Sequence, residues 1–482
     1  MKHRPWTALI LCAAMLLAAC GGGGGSASSD AGEPTSTGTT TPTSSTGAGC
    51  SLRERQDWAL AQLREWYLFP ETLPANPNPA AYATVDDYVD ALTATARLQG
   101  RDRYFTYLTS ISGENAYYNS GSSAGFGFRI AADAVARTAI VTETFEGTPA
   151  LAANVDRGAQ ILAIGTSTAT LRNVSDIIAS QGTAGVTDAL GDNVVGLSRV
   201  LRISDASGTR VVTLTKANYD LAPVSTRYGA RIINDGGRQI GYVNLRTFIT
   251  TADPALRNAF AQFRAAGVND VVVDLRYNGG GLLSTAETLA NLLGGNRAPG
   301  DVVDYLTFRP EKSSENSTTN FVVQAQSVSP MRIAFIGTSG TASASELVIN
   351  AFVPYLHGNV ALVGSNTYGK PVGQIAVDRS QCDDRLRIIA LAVQNGAHSN
   401  AYFNGLASAM EASCQAADDT SHAFGDPQES SLRAALDFIE GKSCSRIAAD
   451  QQGALSVGTS GKRILLMPSR PDTPQREVPG LF

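Results

Sequence analysis

From Gln239 onward the chain alternates short, wholly apolar strand segments with longer helical ones, and this limits its fold more than any other feature. Residues 240–245, 271–275, 332–336 and 360–363 read as strands, and 254–265, 282–293 and 343–355 as helices between them. Strands without a polar face are buried on both sides. Repeated β-α-β units of this kind predict an at least partly parallel sheet with helices packed on it.

The preceding residues have a different texture. At the start of the ordered region Ser51 and Glu54 have capping-box spacing, and Ala59, Leu63, Trp66 and Tyr67 share a helical face before Pro70 ends it. A second helical stretch covers 85–98. From about Gly121 come β-branched runs broken by Gly, Asp and Thr, with strands expected at 139–144, 160–164 and 211–214 and a helix near 174–180. The expectation is a multidomain α+β and α/β chain: a helical region at 50–118, a β-rich module at 119–218 and a βα-repeat core at 219–445. A polar tail, rich in Pro and Arg, follows at 446–482; it is expected to be peripheral, with 464–467 able to add an edge strand.

The first twenty residues read as a leader. Lys2 and Arg4 precede an apolar stretch from 8 to 19, too short for a comfortable membrane span. It ends in Leu17-Ala18-Ala19-Cys20, which resembles the lipobox of bacterial lipoproteins. That resemblance implies cleavage before Cys20, acylation of that residue and a lipid anchor in the cell envelope. Gly21 follows the cysteine in place of the Asp associated with inner-membrane retention, which favours the outer membrane. Residues 21–49 are mostly Gly, Ser, Thr, Pro and Ala and read as a flexible tether.

Export into an oxidising compartment leaves Cys50, Cys382, Cys414 and Cys444 for two disulfides. The pairing stays open; Cys382–Cys414 would close a late loop and Cys50–Cys444 would tie the folded region's start to its end. A net charge of −5 with no long basic run argues against nucleic acid as a partner. His3, His357, His398 and His422 have no metal-ligand spacing and no GxSxG elbow accompanies them, so neither a metal nor another cofactor is expected.

Three segments carry chemistry. Gly337-Thr-Ser-Gly-Thr-Ala-Ser-Ala-Ser-Glu346 joins a strand to a helix, and a Ser at such a helix start lies among unpaired N–H groups that favour developing negative charge. Tyr368-Gly-Lys-Pro-Val-Gly-Gln374 follows, with Lys370 27 residues after Ser343. An amine takes a proton from a hydroxyl only when neutral, and burial lowers a lysine's pKa towards that state. In an extended strand Gln374 shares a face with Lys370 and can orient it without adding charge. The third segment, Asp274-Leu-Arg-Tyr-Asn-Gly-Gly-Gly281, runs a buried strand into a glycine turn whose amides can hold an oxyanion.

Taken together these motifs resemble the C-terminal (tail-specific) processing peptidases, serine enzymes with a Ser-Lys dyad and often a supporting Gln. The resemblance spans roughly residues 50–444. It implies Ser343 as nucleophile, with Ser345 the runner-up, Lys370 as base and Gln374 as its support. It implies Ala344 N–H and a glycine of the 279–281 turn, foremost Gly280, as oxyanion donors. The β-rich module resembles the PDZ domain of that family. Gly125-Phe126-Gly127-Phe128 matches its carboxylate-binding loop, and 146–153 and 157–164 match its helix and following strand.

Departures from the pattern are a longer spacing from Ser343 to Lys370, Gly279 in place of a common Pro, and Pro371 in place of Gly. The expected function is an envelope-anchored endopeptidase acting on unstructured or C-terminally recognised polypeptides. The alternative, a degenerate core serving as a peptide-binding adaptor, is disfavoured by retention of Ser, Lys and Gln together.

Overall fold

The computed structural model describes residues 48–448 and 463–482. The leader, Cys20 and nearly all of the tether lie outside the described residues.

The apolar strand segments build a six-stranded sheet in the order Ala230–Asp235, Arg238–Asn244, Asp270–Asp274, Arg332–Gly337, Val360–Gly364, Ala412–Gln415. The first pair is antiparallel and every later pair parallel. Side chains alternate across it as the strand period demands. Val271, Val273, Ile333, Phe335 and Leu362 face one core, which includes helices Ala252–Ala265, Leu283–Leu293 and Ala344–Leu356. Val272, Ala334, Ile336, Ala361 and Val363 face the other, packed on helix Ser430–Ile439 through Leu432, Ala435 and Leu436. Both faces are covered, which is why these strands carry no polar alternation.

A second, wholly antiparallel sheet draws most of its strands from the region expected to be βα-repeat alone. Its long strand Asp384–Gln394 pairs with Val372–Arg379, Val302–Phe308 and Tyr107–Ser110. Helix Leu52–Trp66 begins with the expected Ser51–Glu54 capping box. With Val85–Leu92 it contributes to a core that also holds Leu386, Ile388 and Ile389. The N-terminal region is thus part of the fold that holds the lysine segment.

The β-rich module has strands Phe128–Asp133, Thr138–Thr144, Gln160–Gly165, Ser198–Asp205 and Gly208–Thr215 around a core of its own. It is linked to the parallel-sheet core through Arg246, which pairs with Glu143 and Glu146 at 2.6 Å each, while Glu143 also pairs with Arg129 inside the module at 2.5 Å.

One open point is settled and one expectation is corrected. The cysteines pair as Cys50–Cys382 and Cys414–Cys444, with Cα separations of 5.6 and 5.4 Å. Spatial neighbourhood decides this: Cys414 lies on the edge strand Ala412–Gln415, and Gln415 N–H donates to Ser445 O at 2.7 Å, so residue 444 runs alongside. Cys382 lies in the turn after Val372–Arg379, where Arg379 reaches Gly49 O beside Cys50. The tail, in its described part 463–482, is not peripheral. Ile464–Leu465 does add an edge strand to Phe128–Asp133, but Val478, Leu481 and Phe482 are buried. Its Pro and Arg content masks a few well-spaced apolar residues.

Candidate active site

Helix Ala344–Leu356 starts immediately after Ser343, whose backbone has φ 56° and ψ −115°. A non-glycine residue in that region is strained by about 1–3 kcal/mol and persists only where its surroundings enforce it. Those surroundings centre on Glu346. Its fully buried carboxylate accepts the N–H of Ser343 at 3.0 Å, of Gly369 at 2.7 Å and of Lys370 at 2.7 Å, and the Thr367 hydroxyl at 2.6 Å. One carboxylate therefore gathers the serine turn and the lysine turn, leaving the backbones of Ser343 and Lys370 within two hydrogen-bond lengths of each other. Burial pushes the Glu346 carboxyl pKa up, against these four donors. Sequence reasoning quoted Glu346 in the motif and gave it no role; the S-x-x-E spacing of a capping box was the signal.

The side chains of the expected dyad are each held by a partner of their own. Ser343, partly exposed, accepts from the Glu346 N–H through its hydroxyl. Lys370 Nζ donates to Gln374 Oε1 at 2.8 Å, and Gln374 Nε2 donates to Phe105 O. Gln374 is on strand Val372–Arg379 at a bulge beside Gly373, which turns its amide back to the lysine. Desolvation lowers the Lys370 pKa to about 8; Glu477 and Asp102 oppose that shift, and Arg476 and Arg387 reinforce it. Ser345 is fully buried and its hydroxyl donates to Asn278 O at 2.9 Å, a structural contact that leaves Ser343 as the accessible serine of the two.

Ala344, the first helical residue, is at a position to which the helix offers no acceptor for its N–H. The glycine turn packs against it: a Cβ on Gly280 would lie 2.9 Å from Ser343 Cβ and 3.2 Å from Ala344 N, and Gly280 has φ 123°. No other residue type fits there without displacing the serine. The Gly280 N–H is turned to Asn278 Oδ1 at 3.0 Å, while Gly279 N–H donates to a main-chain carbonyl, that of Glu477, at 2.8 Å. A pocket of about 670 Å³ opens beside these groups, lined in part by Lys370, Gly279, Ala342, Phe105, Arg476 and Glu477.

Phe126 and Phe128 of the β-rich module are fully buried with ring centroids 5.5 Å apart. Gly127 has φ 83°, and its N–H and that of Phe128 point to Phe482 O at 2.9 and 3.4 Å. The described histidines stand outside the site: His357 pairs with Glu411, His422 with Asp419, and His398 stacks on Tyr305. Among the described residues no cluster has the make-up of a metal site.

Comparison with known proteins fits this geometry. Residues 239–397 match the model of peptidase family S41, and 54–107 match the peptidase S41 N-terminal domain. The chain is 30% identical over 275 residues to a chloroplastic C-terminal processing peptidase from Tetradesmus obliquus, covering 54% of each chain. It is 25% identical over 312 residues to a carboxyl-terminal-processing protease from Picosynechococcus sp., covering 64% of this chain and 68% of that one. The match spans about half the length of the first two curated relatives. In fold it is similar to an S41-type protein from Bacteroides fragilis, with a TM-score of 0.60 at 22% identity over 80% of this chain and 97% of that one. The chain thus carries a peptidase family S41 domain and the S41 N-terminal domain, and is similar to C-terminal processing peptidases.

Proposed function

We propose that this protein is a serine endopeptidase of the C-terminal processing type, working through Ser343 and Lys370. The observation that carries the reading is the shared Glu346 carboxylate, which ties the backbones of both residues to one point beside a glycine turn and an open pocket. For catalysis the neutral Lys370 amine swings from Gln374 to the Ser343 hydroxyl and takes its proton as Oγ attacks the scissile carbonyl. The lysine then gives that proton to the leaving amine, and water releases the acyl group by the same steps. Ala344 N–H and the 279–281 turn hold the oxyanion. Gly280 lies against Ser343, and Gly279 N–H is the amide that already holds a main-chain carbonyl. Gln374, backed by Phe105 O, positions the lysine without supplying charge.

In the same reading residues 119–218 are a PDZ-type module that takes a polypeptide end at Gly125–Phe128, and lipid on Cys20 holds the enzyme at the envelope membrane. The N–H groups of Gly127 and Phe128 converging on one main-chain oxygen support the first; the leader and tether composition supports the second. Incubation of the purified protein with an unfolded polypeptide tests the enzyme. Turnover lost in both Ser343→Ala and Lys370→Ala is expected. Equal turnover in all three proteins rejects the mechanism, and binding without turnover in any of them favours a peptide-binding adaptor.

A further inference from the structure

The carbonyl facing the loop Gly125–Phe128 and the carbonyl facing the turn 279–281 come from the same segment of this chain. Residues 463–482 run along the edge of strand Phe128–Asp133 in two pieces. Ile464 and Leu465 pair antiparallel with Ala132 and Ala131, and Leu466 N–H donates to Ile130 O at 3.0 Å. Further on, Ile130 N–H donates to Gly480 O at 2.9 Å, Leu481 bridges Arg129, and Phe482 N–H donates to Phe128 O at 3.0 Å. The Phe482 side chain joins Phe126, Phe128, Val186 and Leu190 in the module's core. Gly125 permits this approach: a Cβ there would lie 2.7 Å from the Phe482 carbonyl carbon.

Between these pieces the segment forms one wall of the pocket beside the lysine. Glu477 O takes the Gly279 N–H, and a Cβ on Gly279 would lie 2.4 Å from Arg476 O. Tyr118 OH donates to Glu477 Oε1 at 3.0 Å, Arg476 lies 3.7 Å over the Tyr107 ring, and Arg470 pairs with Asp87 and Asp90 at 2.5 Å each. The stretch between the pieces includes a short helix, Thr473–Glu477, capped by Asp472. A helical turn does not present its carbonyls as an extended chain does, so the segment meets the cleft as a folded turn and not as an extended peptide.

We infer that residues 463–482 are a tethered occupant of both the peptide groove and the catalytic cleft. The proposal rests on the reading of the β-rich module as a peptide-binding module. A substrate must displace the segment, and the chemistry that competes for the groove is a polypeptide end with a large apolar residue in the place of Phe482. Glu477 and Arg476 leave the surroundings of Lys370 at the same moment, so docking at the module and access to the lysine change together.

The test compares the full chain with one ending at residue 462 and with full-length Phe482→Asp, in turnover of an unfolded polypeptide at sub-saturating concentration. Both variants are expected to be at least tenfold faster, with the gain chiefly in KM. A synthetic peptide with the sequence of residues 463–482 should restore inhibition of the shortened chain, and its Phe482→Asp version should not. Equal rates with no inhibition overturn the inference, as does Ser343-dependent loss of the segment by mass spectrometry, which would make it a substrate. Peptide binding to the shortened chain carrying Ser343→Ala is read separately by fluorescence anisotropy. Binding without turnover in any form sinks the proposed activity and leaves the occupancy standing. If the shortened chain does not fold, hydrogen exchange on the full chain decides: excess peptide should deprotect the segment's own amides at Leu466 and Phe482, which donate to Ile130 O and Phe128 O only while it is docked, and unchanged protection refutes the inference.

Discussion

Replacing Glu346 by Ala removes the acceptor shared by four donors at the centre of the site. Two of these, the Thr367 hydroxyl and the Gly369 N–H, belong to buried residues. A buried donor stripped of its partner costs about 1–3 kcal/mol, so these two alone predict a loss of about 4 kcal/mol in unfolding free energy. The carboxylate's own desolvation penalty, visible in its raised pKa, returns part of that. Loss of the tie also frees the Ser343 turn to relax from φ 56° and separates it from the lysine turn. A displacement of about 1 Å in reacting groups costs roughly a hundredfold in rate, which is the expected fall in kcat. Glu346→Gln keeps the shape but turns an amide towards N–H donors, and should fall between Ala and wild type. Urea unfolding in a Ser343→Ala background, free of self-digestion, gives the stability; turnover of an unfolded polypeptide gives the rate. A Glu346→Ala protein within 1 kcal/mol and threefold of wild type would refute the view that this carboxylate assembles the site.

Turnover should rise with pH as the Lys370 amine deprotonates, with a midpoint near 8. At pH 7 about a tenth of such an amine is neutral, against roughly one in three thousand at an ordinary lysine pKa. A rate flat from pH 6 to 10 would count against the base. Burial raises the Asp304 carboxyl from 3.8 to about 7, with Glu287 adding to the shift, so the folded state holds a proton that the unfolded chain has lost. Stability should therefore fall as pH rises from about 4 to 7 and level off above. Asp304→Asn should abolish that fall, worth at most about 4 kcal/mol, as followed by denaturation midpoints at pH 5 and 8. Peptide mapping without reduction should recover Cys50 joined to Cys382 and Cys414 joined to Cys444. Opening the latter, which closes a loop of 30 residues, should cost about 3–4 kcal/mol, read as a drop in the denaturation midpoint of Cys414→Ala.

The parallel sheet was legible in the sequence because a strand buried on both faces leaves a continuous apolar run. Val271-Val272-Val273 says as much without any coordinates, and its two faces do meet two different cores. The serine turn, the lysine turn and the glycine turn were legible for a related reason: small residues, a helix start and an isolated lysine are local signals. The antiparallel sheet was not, since strand Asp384–Gln394 pairs with partners as distant as Tyr107–Ser110, and pairing at that range leaves no periodic mark.

The disulfide pairing was decided by which strands the sheet sets side by side, which cysteine count and spacing do not encode. Glu346 sits in plain view within its motif, yet its role comes from Thr367, Gly369 and Lys370, more than twenty residues away. The last segment shows the same division most clearly. Its sequence averages to polar, and only the edge of Phe128–Asp133 and the cleft beside Lys370 give Leu466, Glu477 and Phe482 something to occupy. Sequence fixes what a segment can bury; which surface it buries against is set by the rest of the chain, because hydrophobic contact is non-directional and takes its geometry from the partner.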